Sequence, residues 1–292
     1  MSISSTFINV KLKFGKAYFN PRFNQPNYLC MNNKALLVGI NAYPNSNNNL
    51  RGCINDIVDM EYFIASKNKV YAKENIKTLT DSMATKKGIL DHLNWLILGA
   101  SAGDQLLFHY SGHGAQLPSK GHTFEKDGLD EIICPYDFSD DDAGQTAFSD
   151  KEFAKIFATI PKGVHFVWIS DSCHSEDLSR KQHITPNTRF RRFNHEPQDS
   201  VSPLAASLSA APIPLHGALL SGCASHQLSA DAYINNRFNG AFTHYLIKNL
   251  SQYGEDASMQ DIVKYVNMDL MDNDYDQNPQ SEGLLATQKF FQ

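Results

Sequence analysis

Cysteine pairing is what this chain most conspicuously lacks. Its five cysteines, Cys30, Cys53, Cys134, Cys173 and Cys223, are odd in number and widely scattered, and none forms a C-x-x-C pair. That pattern argues against a disulfide framework and against a zinc site of the usual spacing. It points to a reducing compartment in which at least one thiol is kept for chemistry. Also missing is any apolar run approaching the length of a membrane-crossing helix. The N-terminus carries no continuous apolar core of the signal-peptide kind, so a cytoplasmic protein without a membrane partner is expected. A net charge of −5 leaves no cationic surplus for nucleic acid, and none is expected as a partner. Acidic residues are absent before Asp56, while Lys11, Lys13, Lys16 and Arg22 make the first stretch basic. Acids then gather between Glu125 and Asp150 and again near the C-terminus.

What is present is an ordinary globular composition, 42% hydrophobic and 20% charged over 292 residues, enough for a well-buried core. Residues 1–33 mix aromatic, Asn and basic residues without a period and read as an N-terminal extension. From Lys34 the pattern alternates. Apolar runs at Lys34–Ile40, Ile76–Leu79, Gln105–Tyr110, Val164–Ile169 and Gly217–Ser221 predict buried strands. Helical periods are predicted over Cys53–Lys67, Thr85–Leu98, Ala241–Leu250 and Met259–Met271, and another helix is expected to start near Ser149 with Glu152 as its capping-box partner. Leu284–Phe291 reads as a final strand. Strands alternating with helices predict an α/β fold, a doubly wound, mostly parallel sheet of about six strands with extra hairpins. A polar stretch over about 176–214 divides residues 34–292 into a larger part, 34–175, and a smaller one, 215–292.

Two segments carry the chemistry. Tyr110-Ser111-Gly112-His113-Gly114 follows one apolar run, and Asp171-Ser172-Cys173-His174-Ser175 follows another. In open α/β sheets ligands bind just beyond the carboxyl ends of strands. A histidine at one strand end and a cysteine at another suit a thiol nucleophile, whose proton the imidazole takes as the thiolate attacks a carbonyl carbon. Asp56, in the first turn of the helix beginning at Cys53, has the ordinary alternative of stabilising a helix N-terminus.

These segments, with Leu36-Leu37-Val38-Gly39-Ile40-Asn41, Leu50-Arg51-Gly52-Cys53-Ile54-Asn55-Asp56 and Leu220-Ser-Gly-Cys-Ala-Ser-His-Gln227, resemble the metacaspases and related caspase-like cysteine peptidases. Ala230-Asp231-Ala232 and Gly240-Ala-Phe-Thr243 extend the likeness, which runs from about Lys34 to the C-terminus. The Gln-Ala-Cys context of the aspartate-cutting caspases is absent. The resemblance implies Cys173 as nucleophile, His113 as general base and then acid, and the N–H groups of Gly114 and Cys173 as an oxyanion hole. It implies a specificity pocket lined by Cys53, Asp56, Ser111 and Asp171, where two carboxylates would select protein or peptide substrates with Arg or Lys before the scissile bond. It also implies calcium binding through Asp130 and Asp150, although Ser149 stands where the family pattern has Asp, no acid matches a further family ligand past the nucleophile unless Asp177 substitutes, and Glu176 replaces a usual Gly. Self-processing would fall among Arg180, Lys181, Arg189, Arg191 and Arg192, and a basic residue of the extension could fill the pocket and hold the enzyme shut. A monomer is expected. The alternatives are a catalytically weak regulatory or scaffold protein of the same fold, or a related cysteine hydrolase of different specificity.

Overall fold

A computed structural model describes residues 31–67, 70–118, 129–173, 188–193, 216–224 and 227–292. In chain order its strands are β1 (Lys34–Gly39), β2 (Ile76–Thr80), β3 (Gln105–Ser111), β4 (Gly114–Pro118), β5 (Leu129–Ile133), β6 (Phe148–Ser149), β7 (His165–Asp171), β8 (Arg189–Phe190), β9 (Ala218–Ser221), β10 (Ala230–Ile234), β11 (Arg237–Gly240) and β12 (Gln280–Glu282). The helices are α1 (Cys53–Tyr62), α2 (Lys86–Ile97), α3 (Ala143–Thr146), α4 (Asp150–Phe157), α5 (Ala241–Tyr253) and α6 (Met259–Asp272).

The main sheet has the order β12-β9-β7-β3-β1-β2 and is parallel apart from β12. Alternation within the buried strands explains its two covered faces. Leu36, Val38, Leu106 and Phe108 pack with Ile89 and Leu93 of α2 and Phe153 and Phe157 of α4. Ala35, Leu37, Leu107 and Val167 face the other way, onto Ile57 and Met60 of α1, Leu246 of α5 and Ile262 of α6. Thus the expected α/β class and the six-stranded, mostly parallel sheet are what the chain forms. Two small three-stranded sheets, β4-β5-β6 and β11-β10-β8, flank the carboxyl edge.

Local details follow the sequence with two corrections. Ser149 caps α4 and Glu152 closes the predicted capping box. The helix expected over residues 53–67 is α-helical only to Tyr62, and Phe63–Lys67 continue as a wider π turn. The strand expected at Leu284–Phe291 does not form. Gly283 takes φ +96° directly after β12, and the chain then closes local turns, with Gln288 N–H donating to the Leu285 carbonyl at 2.8 Å. The apolar residues there serve packing instead, and Phe290 is buried with the α1–α6 face.

Candidate active site

Strand register assembles the site. Gly39, Ser111 and Asp171 stand side by side at the carboxyl ends of β1, β3 and β7. The sheet order reverses here, since β2 lies on one side of β1 and all later strands lie on the other.

His113 sits two residues beyond β3 and is buried. Its N–H donates to the Tyr43 hydroxyl at 2.9 Å, and its carbonyl accepts from the Tyr110 hydroxyl at 2.7 Å. The ring Nε2 lies 2.6 Å from the Asn48 carbonyl oxygen. A carbonyl only accepts, so Nε2 carries the proton and the lone pair of the neutral ring is on Nδ1. Nδ1 makes no hydrogen bond of proper geometry. Burial pushes the His113 pKa down to about 4, against the opposing pull of the Asn48 and Arg191 backbones. The imidazole is therefore an oriented, neutral proton acceptor.

Cys173 follows β7 and is also buried. Its Sγ accepts from the Ser229 N–H at 2.7 Å and donates to the Ser229 carbonyl at 3.3 Å. Its backbone N–H lies 3.2 Å from the Arg191 carbonyl oxygen, and the Gly114 N–H reaches the same oxygen at 3.0 Å. Two N–H donors thus converge on one carbonyl, an arrangement able to hold negative charge on that oxygen. Position 114 has to be glycine, because a Cβ there would collide with the Cys173 carbonyl.

The segment supplying that carbonyl lies across the site like an added strand. Arg189 and Phe190 pair antiparallel with Asp231 and Ala230 of β10. Arg191 N–H then donates to the Ser229 carbonyl at 3.1 Å, Arg192 bridges to Gly114, and Phe193 N–H donates to the Gly114 carbonyl at 3.3 Å. The Arg191 side chain is 0% exposed. Its guanidinium lies 2.6 Å from Asp56, 3.1 Å from Asp171 and 3.5 Å from Asp231. It donates further to the Ser111 hydroxyl at 2.6 Å and to the Asp171 carbonyl at 3.1 Å.

The three carboxylates are themselves held. Asp56 accepts from Gly240 N–H at 2.9 Å and from Ser111, Asp171 accepts from Ser229 and Thr243, and Asp231 accepts from the N–H groups of Arg51 and Gly52. Burial raises the Asp56 pKa to about 6, with Arg191 pulling the other way. A Cβ at Gly240 would collide with Asp171 and lie 2.6 Å from the Arg191 guanidinium, so the pocket needs that glycine as well.

Among the sequence-predicted residues, His113, Gly114, Cys173, Asp56, Ser111 and Asp171 come together, and Cys53 is close enough for the Arg191 charge to act on its thiol. Of the basic candidates, Arg191 fills the pocket, Arg189 donates to the Asn49 carbonyl, and Arg192 lines an open cleft of about 390 Å³ beside His113. The cation in the pocket is thus Arg191. Lys11, Lys13, Lys16, Arg22, Glu176, Asp177, Arg180 and Lys181 lie outside the described residues. Sequence reasoning missed Asp231 as a third pocket acid, Asn48 as the orienter of His113, and Ser229 as the partner of the thiol. Asp231 had a signal in the quoted Ala-Asp-Ala run, but backbone carbonyls have none.

The proposed calcium residues are placed differently. Asp130 accepts from the Lys151 ammonium, and Ser149 spends its hydroxyl in the α4 cap. Asp150, with Glu131, lines a separate cavity of about 550 Å³. Among the described residues no group of three or more His, Cys, Asp or Glu side chains is placed to hold a metal ion. A hard cation takes six to eight oxygens, and the described donor set falls short.

A doubly wound α/β sheet with histidine and cysteine at adjacent strand ends, beside a carboxylate-lined pocket, defines a cysteine-peptidase type of protein. The family model for the metacaspase, peptidase C14 domain, matches residues 33–180, and the chain belongs to that family of cysteine peptidases. Metacaspase-1A of Aspergillus niger is 44% identical over 148 residues, covering 49% of this chain and 35% of that protein. Metacaspase-1 of Candida albicans is 39% identical over 152 residues, covering 49% and 33%. The matched stretch therefore spans about a third of those relatives. A crystal structure of a Geobacter sulfurreducens protein aligns with a TM-score of 0.65 at 25% identity, covering 89% of this chain and 98% of that one. Among the described residues no helix is long and apolar enough to cross a membrane.

Proposed function

We propose that the chain is a cysteine endopeptidase that cuts protein substrates after Arg, and after Lys less well, and that it cuts itself between Arg191 and Arg192. One observation carries the reading. The Arg191 carbonyl oxygen takes both the Gly114 and Cys173 N–H groups while its guanidinium fills the three-carboxylate pocket.

In the proposed reaction Cys173 Sγ turns from Ser229 toward the Arg191 carbonyl carbon. Its proton passes to His113 Nδ1, and the Gly114 and Cys173 N–H groups hold the developing oxyanion. Collapse breaks the C–N bond, and His113 returns the proton to the departing Arg192 amine. Water then attacks the thioester, again giving up a proton to His113, and releases the Arg191 carboxylate and the free thiol. A planar guanidinium can bridge Asp56, Ser111 and Asp171 in a way that a point-charge ammonium cannot, which ranks Arg above Lys. Until cut, the Arg189–Phe193 segment blocks the pocket against other substrates.

Calcium has no step in the proposed reaction: Lys151 already neutralises Asp130, and among the described residues no group of acidic side chains is placed to hold a cation.

The test is a fluorogenic panel with Arg, Lys, Asp or Asn before the cleaved bond, run beside mass spectrometry of the incubated chain. Turnover on Arg and a cut after Arg191, both lost in Cys173→Ala, are expected. Cleavage after Asp or Asn, or a Cys173→Ala chain cut as fast as wild type, would overturn the proposal.

A further inference from the structure

The residue two places beyond the Arg191 carbonyl is held as specifically as Arg191 itself. Phe193 is 7% exposed, and its ring meets three others edge-on: Phe138 at 4.7 Å and 82°, His113 at 5.8 Å and 86°, and Tyr43 at 6.0 Å and 75°. Edge-to-face contact at these separations is the favoured geometry for aromatic pairs. The walls come from distant parts of the chain, Tyr43 after β1, His113 after β3 and Phe138 after β5. Tyr43 is fixed independently of Phe193, because its hydroxyl accepts from His113 N–H at 2.9 Å and donates to the Cys134 carbonyl at 3.3 Å. The main chain sets the depth of insertion through the Phe193 N–H bond to the Gly114 carbonyl.

Burial along the segment alternates. Arg191 is buried, Arg192 is half-buried beside the open cleft, and Phe193 is buried again. An extended peptide places alternate side chains on one face, so two inward-facing positions flanking one outward position define two subsites.

We infer that Tyr43, Phe138 and His113 form a subsite for an aromatic side chain two residues after the scissile bond. The favoured substrates then read Arg-x-Phe or a similar aromatic. The inference rests on the proposal that Arg191–Arg192 lies as the scissile bond does. Because His113 is one wall, a ring in the subsite also steadies the imidazole that serves the reaction.

Two measurements test it. With wild-type protein after self-cleavage, a peptide reading Arg-Ser-Phe should be cut with a kcat/KM about tenfold or more above Arg-Ser-Ala, with Arg-Ser-Leu between them. In a Cys173→Ala chain, which cannot cut itself, trypsin should nick the Arg191–Arg192 bond about tenfold faster once Phe193 is also changed to Ala, because the segment loses its second anchor. Equal kcat/KM for the Phe and Ala peptides together with equal nicking would overturn the subsite. A chain that cuts no peptide but still shows the nicking difference would leave the subsite standing and sink the proposed activity instead.

Discussion

Arg191 Nη2 lies 2.6 Å from Asp56 Oδ2, and neither side chain has any exposure to solvent. With Asp171 and Asp231 also in reach, one cation faces three carboxylates. Such a pocket is strongly unbalanced once the arginine leaves, because buried charge without a partner is costly. In this structure the guanidinium that balances it comes from the chain itself.

Arg191→Ala should leave the Arg191–Arg192 bond uncut and open the pocket at once. Progress curves on an added Arg peptide should then lose the initial lag expected of the wild-type chain. Arg191→Lys should still self-cleave, roughly tenfold more slowly, because an ammonium cannot span Asp56 and Ser111 as the fork does. A lag retained by the Ala variant would argue against the blocking segment.

Asp56→Asn should lower kcat/KM for Arg peptides by roughly 100-fold or more, equivalent to about 3 kcal/mol. Asp231→Asn should have a smaller effect on kcat/KM but also cost stability. The asparagine oxygen cannot serve both the Arg51 and Gly52 N–H groups that Asp231 now satisfies, a loss of about 1–3 kcal/mol per orphaned donor. Steady-state kinetics beside thermal melts separate the two effects.

The pH profile should report Asp56 before His113. With Asp56 raised to about 6, acid protonates the closest counter-charge of the guanidinium, while His113, pushed down to about 4, stays a base. Once Arg191 has left the pocket its downward pull is gone, so the acid limb of kcat/KM should fall at pH 6 or above, driven by KM more than by kcat. For Asp56 stability runs the other way. A raised carboxyl holds its proton more tightly when folded, so its contribution drops as pH climbs from 3.8 to about 6. His109 and His113, both lowered to about 4, lose stability as pH falls from 6.5. Two histidines outweigh one carboxyl, and melting temperature should decline on acidification below 6.5. An acid limb that moves kcat alone would assign it to the base instead.

Chelation should leave turnover on Arg peptides unchanged, since Lys151 already pairs with Asp130. Activity lost with chelator and recovered with added calcium would show that donors beyond the described residues complete a site.

Much of this was readable in the linear pattern. The buried strands Lys34–Gly39, Gln105–Ser111 and His165–Asp171 declare themselves because each is apolar on both faces. The Ser149–Glu152 cap declares itself because its partners are three residues apart. The run at Leu284–Phe291 misled because apolar content alone does not distinguish a strand from packed turns, and Gly283 ends the ladder before it.

Residue order alone was enough for the α/β class, the two strand-end segments, and the acids Asp56 and Asp171 as members of the same site. These are local patterns or family motifs, and they survive in one dimension. Which cation fills the pocket is settled by folding. Arg189, Arg191 and Arg192 are indistinguishable as residues, and only the folded chain, with Arg191 N–H bonded to Ser229 and the three acids brought around its guanidinium, makes Arg191 the buried one. The same holds for Asp231, which meets Gly52 from 179 positions away, and for the Asn48 carbonyl that orients His113. Contacts made by register and by backbone atoms leave no mark on residue identity, so they exist only once the chain has folded.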